Sequence, residues 1–464
     1  MKNTIILTEN IFDELRKHLF QSDNEQLATI FCGISLTDNQ TKLLAREIVK
    51  AKPEDLKRSS PTRVIAKKEF RMKILTRCLE ENLHPIDCHS HPSSKHDVDF
   101  STIDDLNDLI NLSYIRGNIP GIHCASMVVG QNDFKARTYS LENGNLVPVD
   151  EIRIIGRKIQ IIRNTHGESD CQTFDRQILL WGKEGQKKIS KTEVVIVGAG
   201  GTGSMVFQML TRLGLDRITL IDHDTIEPSS LNRLIGSTTK NISQAKVEAL
   251  KEYAETYSQT QVEAVSKSIL HPEVLEKVKQ ADVVFSCTDT QSSRMILNDA
   301  AVKYHIPLID LGAGILTEKG CIEAGGQVRI VLPDGYCLAC IDGINYAKAG
   351  EELLNEQDRQ MRRAAGYVQG HNIPSPSVVS LNGTIASLAV TEFLNLITGI
   401  REVNTYVTYD MQSNNTIVQT LQAEKDESCP VCGRNGIKAM GDLIPFPNLL
   451  EEKIPKNIPS VTTC

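Results

Sequence analysis

Apolar side chains recur at Ile11, Leu15 and Leu19, with Phe12 and Phe20 beside them. That spacing predicts one face of a helix over residues 10–21. Leu27–Ile34 (LATIFCGI) has a different form: it is short, apolar and followed by polar residues, which predicts a buried strand. Cys124–Gly130 (CASMVVG) reads the same way. Strands and helices mix irregularly up to residue 150, so a compact α/β domain is expected over 1–150. Residues 151–170 are charged and lack a clear period. A linker is expected there, with a helix around Arg153–Arg163.

From residue 171 the pattern is more regular. Lys191–Gly200 (KTEVVIVGAG) is a β-branched run ending in glycines, Met205–Leu213 is helical in period, and Arg217–Asp222 (RITLID) is the next strand. This β–turn–α–β order opens a doubly wound, Rossmann-like sheet. Ala281–Cys287 and Ile306–Gly314 read as further buried parallel strands. Val378–Gly399 has a helical apolar pattern with Gly399 as its stop. The second domain is therefore drawn over 171–436. Residues 437–464, rich in Pro, Lys and Asn, are expected to be a loose tail.

A chain of 464 residues has room for two or three cores. The formal charge of −7 gives no basic excess, so neither nucleic acid nor an anionic membrane is an expected partner. Met1–Phe20 lacks the features of a signal peptide and no long apolar run suggests a membrane span; a cytoplasmic location is expected. The 12 cysteines then point to metal binding, catalysis or burial rather than to disulfides.

Gly198, Gly200, Gly201 and Gly203 lie in a G-x-G-x-x-G pattern between a strand and a helix. Such a turn lets backbone N–H groups approach phosphates at a helix N-terminus. Asp222, at the end of the next strand, suits a ribose hydroxyl pair. On the glycines alone, an NAD- or FAD-binding domain is the plainer reading. Arg233, Lys246 and Asp289 change that balance. Two cations and a carboxylate suit ATP with Mg2+ better than a hydride carrier.

With Phe174-Asp175-Arg176-Gln177 upstream, GAGGTG, DHDTIE, Leu231-Asn232-Arg233, Lys246, Cys287-Thr288-Asp289 and two CxxC pairs in this order, residues 171–436 resemble the E1-like ThiF/MoeB/HesA adenylyltransferases. The resemblance implies that Asp222 binds ribose, that Asn232, Arg233 and Lys246 hold phosphates, and that Asp289 serves Mg2+. It also implies that Arg176 reaches the ATP site of a second subunit, hence a homodimer. Ser229-Ser230 departs from the family's usual Ser-Asn, which puts one phosphate contact in doubt. The implied substrate is a ubiquitin-like or sulfur-carrier protein ending in glycine.

Cys337/Cys340 and Cys429/Cys432 can supply four thiolates to a structural Zn2+ that ties the C-terminal segment to the core; a lone CxxC would equally suit redox chemistry. Many relatives carry a thioester-forming cysteine before the helix at Val378. Here Arg362–Ser380 contains none. Adenylation without a loop thioester is expected, with the acyl group passing to a separate conjugating protein, a sulfur donor, or a mobile cysteine such as Cys171 or Cys464. For Cys171, Cys287 and Cys321 packing is the plainer reading.

In the first domain, His89 and His91 are two apart on an extended segment and point to one side. With Asp104 they would make a catalytic His2Asp zinc set. Glu25 is the candidate base and Ser101 the candidate oxyanion donor. The HxH alone would read as surface histidines. The full string of Glu25, His89-Ser90-His91-Pro92 and Ser101-x-x-Asp104 resembles the JAB/JAMM (MPN+) metalloproteases over 1–145. These cleave isopeptide or peptide bonds after ubiquitin-like C-termini. The stretch from His91 to Ser101 is longer than is common there, so Asp97, Asp99 and Asp105 compete as ligand, but Asp104 remains the choice.

Together the halves suggest an enzyme that activates the C-terminal glycine of a ubiquitin-like protein with ATP and processes or deconjugates it with zinc. By resemblance, such fusions suit bacterial conjugation systems, including antiphage defence. Sulfur-carrier activation for thiamin, molybdopterin or cysteine synthesis is the second reading. A non-catalytic scaffold is the third, and an NAD-dependent dehydrogenase the fourth.

Overall fold

The computed structural model of the chain describes residues 1–163, 172–318, 321–354, 376–414 and 417–446. The first half contains β1 (Lys2–Thr8), β2 (Leu27–Thr37), β3 (Gln40–Lys50), β4 (Leu56–Ser60), β5 (Arg63–Ala66), β6 (His84–Ser90), β7 (Ala125–Val129), β8 (Phe134–Tyr139), β9 (Leu146–Pro148), β10 (Glu151–Ile155) and β11 (Ile159–Arg163). Its helices are α1 (Glu9–Leu19), α2 (Lys68–Glu81) and α3 (Thr102–Asn118). Nine strands form one sheet in the order β11-β10-β1-β3-β2-β6-β7-β8-β9, while β4 and β5 pair as a separate hairpin.

The helical face read from the sequence is α1, with Ile11, Leu15 and Leu19 buried against Ala28, Ile30 and Cys32 of β2. Leu27 and Phe31 of the same strand face the opposite layer, with Phe70 and Ile74 of α2. Apolar neighbours on both faces explain why this run shows no alternation.

The second half contains β12 (Val194–Val197), β13 (Arg217–Ile221), β14 (Gln261–Val265), β15 (Val283–Ser286), β16 (Leu308–Glu318), β17 (Cys321–Val331), β18 (Tyr406–Asp410) and β19 (Val418–Thr420). Its helices are α4 (Asp175–Ser190), α5 (Gly201–Leu213), α6 (Lys246–Glu255), α7 (Pro272–Gln280), α8 (Gln291–Tyr304), α9 (Tyr346–Glu352) and α10 (Val379–Thr398). The sheet order is β14-β13-β12-β15-β16-β17-β18-β19. Strands β12 to β16 pair in parallel; β16 to β19 continue antiparallel. Gly399, at φ 71°, closes α10 in the left-handed region with its N–H on Asn395.

Two sequence expectations fail. Residues 151–163 are neither linker nor helix: β10 pairs in parallel with β1, and β11 turns back on it. Their charges misled because they are buried in pairs. Arg153 bonds Glu151 and reaches Asp282 at 2.5 Å in the second half, while Lys2 meets Glu151 at 2.9 Å. Nor is the whole of 437–464 loose. Gly441 bridges Ile34, and Asp442 accepts from the Leu36 amide at 2.7 Å and from Tyr304 at 2.8 Å. Ala439 leaves no room for a side chain at Gly33, so Ala439–Asp442 is wedged between the halves. Ile6, Leu44, Ile155 and Ile159 join the second half's core, making an apolar interface. Residues 164–171, 355–375 and 447–464 lie outside the described residues, and with them Cys171, Cys464 and most of the loop preceding α10.

Candidate functional sites

Strand β12 is followed by Gly198, whose φ of 95° turns the chain toward α5. A side chain there would lie 2.4 Å from the Cys287 carbonyl. At Gly203 a Cβ would meet the Gly198 carbonyl at 1.9 Å, so only glycine lets α5 close on the loop. Gly200, the N-cap of α5, faces open space instead. Over Gly201 sit Asn382 of α10 and the Arg233 side chain. Backbone amides at the start of α5 thus line an open, positively polarised cradle.

Around it, Asp222 accepts from the Ala199 amide at 2.7 Å and from the Asp224 amide at 2.8 Å. Lys246, at the first turn of α6, lies 2.7 Å from Asp224 and 4.0 Å from Asp222. Burial raises the Asp224 pKa, but the Lys246 ammonium outweighs it and holds the carboxyl below its ordinary value. Arg233 donates to the Ser229 carbonyl at 2.6 Å and to Asn232 at 3.2 Å. Ser230 is buried and its hydroxyl caps the Glu227 amide, so it serves the turn. Asp289 is exposed just past β15, on the segment against which Gly198 rests. Arg176 is exposed on α4, beside the exposed Leu179 and Leu180. Sequence reasoning missed Asn382; its one signal was a polar residue inside an apolar helix.

The four thiols of Cys337, Cys340, Cys429 and Cys432 converge within 4.8 Å, with Cys340 and Cys432 at 3.3 Å. Three of the four residues are buried, and the donor set suits tetrahedral zinc. Cys287 is packed under the glycine loop, where burial pushes its thiol well up.

In the first half, β6 carries His89 and the following segment carries His91, while α3 brings Asp104 from its first turn. Asp104 lies 3.4 Å from His89 and 3.3 Å from His91. Nε2 of His89 is buried without a well-aligned hydrogen bond, as fits a metal-facing nitrogen. Asp99 pairs with Lys135 and Asp105 with Arg137, so neither joins the cluster. Burial alone would raise the Asp104 pKa; the two imidazoles more than offset it and hold the carboxyl far below its ordinary range. Glu25 is buried 4.0 Å from His91, and burial raises its pKa. The bond to Asp104 raises that of His91. The Ser101 hydroxyl is engaged: it donates to Asp104 at 2.7 Å and caps α3 by accepting from the Asp104 amide.

Beside this cluster a groove of about 620 Å3 lies between α2, α3 and the β4–β5 hairpin. Pro85 and Asp87 line it, on the strand face that also carries His89. Its walls are mostly apolar, including Ile65, Phe70 and Ile74, with Lys57, Lys67 and Lys68 among them.

Among the described residues no helix is long and apolar enough to cross a membrane. The sulfur carrier protein ThiS adenylyltransferase of Escherichia coli K12 is 28% identical over 57% of this chain and 96% of its own length. The SAMP-activating enzyme E1 of Haloferax volcanii is 27% identical over 58% of this chain and 92% of its own. Residues 174–431 match the ThiF family model, and the span exceeds half the chain. With its glycine cradle opening a Rossmann-like sheet, the chain belongs to the ThiF family.

Proposed function

We propose that the second half adenylates the C-terminal glycine of a ubiquitin-like or sulfur-carrier protein, using ATP and Mg2+. The observation that carries this reading is the open glycine cradle flanked by Arg233, Lys246, Asp222 and Asp289. A carboxylate is a poor electrophile because its charge repels nucleophiles. Attack by one of its oxygens on the α-phosphorus of ATP forms an acyl-adenylate and expels pyrophosphate. Asp289 would hold Mg2+, which would supply charge neutralisation on the phosphates. Lys246 and Arg233 exchange their present partners for phosphate oxygens and oppose the negative charge that builds during displacement. The amides at the start of α5 fix the phosphate chain. Asp222, already holding the loop through Ala199, turns its remaining acceptor capacity to ribose. Arg176, beside Leu179 and Leu180, is assigned to a second subunit's site in a homodimer.

The first half, residues 1–163, is read as a JAMM-type peptidase acting on the same class of protein. His89, His91 and Asp104 would hold zinc, which supplies Lewis acidity for peptide hydrolysis. Glu25 takes the proton from the attacking water, and its burial suits a base that must later return that proton. Ser101 orients Asp104, and its oxyanion role requires the hydroxyl to leave that carboxylate. The groove beside β6 receives the substrate's extended tail. A second zinc on the four cysteines fastens the C-terminal segment. The enzyme thus activates the protein and trims or deconjugates it, in a cytoplasmic conjugation pathway such as antiphage defence.

ATP–pyrophosphate exchange with a glycine-terminated ubiquitin-like protein tests the first reading; absence with every such protein overturns it. A thiocarboxylate product instead of a protein conjugate would assign the chain to sulfur-carrier activation, the substrate class named for the Escherichia coli relative.

A further inference from the structure

Beneath the nucleotide cradle, β16 carries Asp310, fully buried. Its Oδ1 accepts from Ser286 at 2.8 Å and from Nε of Arg294 at 2.9 Å. Its Oδ2 accepts from Nε of Arg329 at 3.0 Å. Arg294 and Arg329 are themselves buried. Burying three charges is costly unless they are paired and bonded in fixed geometry, so such a cluster holds what it touches rigidly. Arg294 has a second arm. Its Nη2 donates to the Thr288 carbonyl at 3.2 Å, in the turn between β15 and α8 that bears Asp289. The adjacent Thr288 hydroxyl is buried and has no hydrogen-bond partner among the described residues. One face of this turn is therefore clamped, and the other leaves a polar group waiting.

We propose that Asp310 and Arg294 are positioning residues for adenylation: Asp310 locks Arg294, and Arg294 sets the Thr288–Asp289 turn so that the Asp289 carboxylate is presented to Mg2+–ATP. This rests on the adenylation reading. Neither residue touches ATP. Their loss acts through the metal, because a turn free to rotate holds its carboxylate near the metal for a smaller fraction of time. Arg329 shares Asp310 but reaches the Gly343 carbonyl at 3.5 Å, away from the turn.

The test varies Mg2+ at fixed ATP in the exchange reaction of the full chain. Arg294→Met is expected to raise the half-saturating Mg2+ at least fivefold, with the rate recovering at high Mg2+. Arg294→Lys keeps the charge beside Asp310 but lacks the second arm, so it should fold even where Arg294→Met does not, and show the same shift. Arg329→Lys should leave the Mg2+ dependence unchanged. An unshifted dependence in Arg294→Lys, or a loss of rate equal at every Mg2+ concentration, overturns the proposal. Calorimetric binding of Mn2+–ATP gives the same comparison without a protein substrate. If wild type binds metal–ATP but never exchanges, the adenylation reading falls while the calorimetry still decides the clamp. If it binds no metal–ATP, both fall.

Discussion

The histidine cluster of the first half and the glycine cradle of the second are assembled to different degrees. His89, His91 and Asp104 already touch one another, and Glu25 stands buried beside them. Around the cradle, Arg233 is bonded to backbone, Lys246 is bonded to Asp224, and Asp289 is exposed. On the proposed functions the difference follows ligand size. A metal ion needs a few atoms at short range, which one strand and one helix turn can bring together. A nucleotide triphosphate spans several loops, so part of its site is completed by the ligand itself. The two sites also lie at opposite ends of the molecule. The cradle is at the carboxyl ends of β12 and β15, whereas Asp282, which binds Arg153 of the first half, precedes β15 at its amino end. The histidines flank the start of β2, while Ile34 and Leu36 near its far end meet the second half.

Disabling each site alone gives the largest expected effects. Glu25→Gln should cut hydrolysis of a ubiquitin-like fusion by roughly 10^2–10^4-fold. Zinc content and ATP–pyrophosphate exchange should not change; retained hydrolysis removes Glu25 from the mechanism. Asp289→Ala should do the converse, lowering exchange by roughly 10^2–10^3-fold while hydrolysis persists. Parallel loss of both activities in either variant would show that the sites are not independent.

Smaller effects concern stability. Cys337→Ser should release one zinc per chain and lower the melting temperature by several degrees, with hydrolysis spared at temperatures where the chain stays folded. Metal analysis and thermal melts check this; unchanged zinc content would dismiss the four-thiolate site. Acid gives the last test. Burial holds both His84 and His123, in the first half, down to about 4 against an ordinary 6.5. The unfolded chain takes up protons below 6.5 that the folded chain refuses until about 4. The stability of this neutral pair is therefore full above 6.5 and lost as pH falls toward 4, by up to ~3 kcal/mol for each imidazole. His84→Asn should flatten that slope in melts recorded between these pH values, and an unaltered slope would place the acid sensitivity elsewhere.

Much of both halves was legible because local chemistry and tertiary demand agree. The Gly198–Gly203 loop can adopt its path only with glycine at Gly198 and Gly203, and the His-x-His spacing puts two imidazoles on one side of an extended segment. Residues 151–163 were misread because Glu151 and Arg153 look solvated in sequence and are buried by partners far away, Lys2 and Asp282. Residues 437–446 were misread for a related reason: Gly441 and Asp442 have no periodic pattern, and their partners are Ile34, Leu36 and Tyr304.

The glycine turn, the helix at 10–21, the strands expected in the second half and the types of group available at each site are all readable in the amino-acid sequence, since these depend on neighbours a few residues apart. Only the folded chain shows that Asp99 and Asp105 are paired away from the histidines, that Asn382 overhangs Gly201, and that Asp310 reaches the Asp289 turn through Arg294. Those are contacts between segments distant in the chain, and which charge finds which partner is settled only when burial removes water as the alternative.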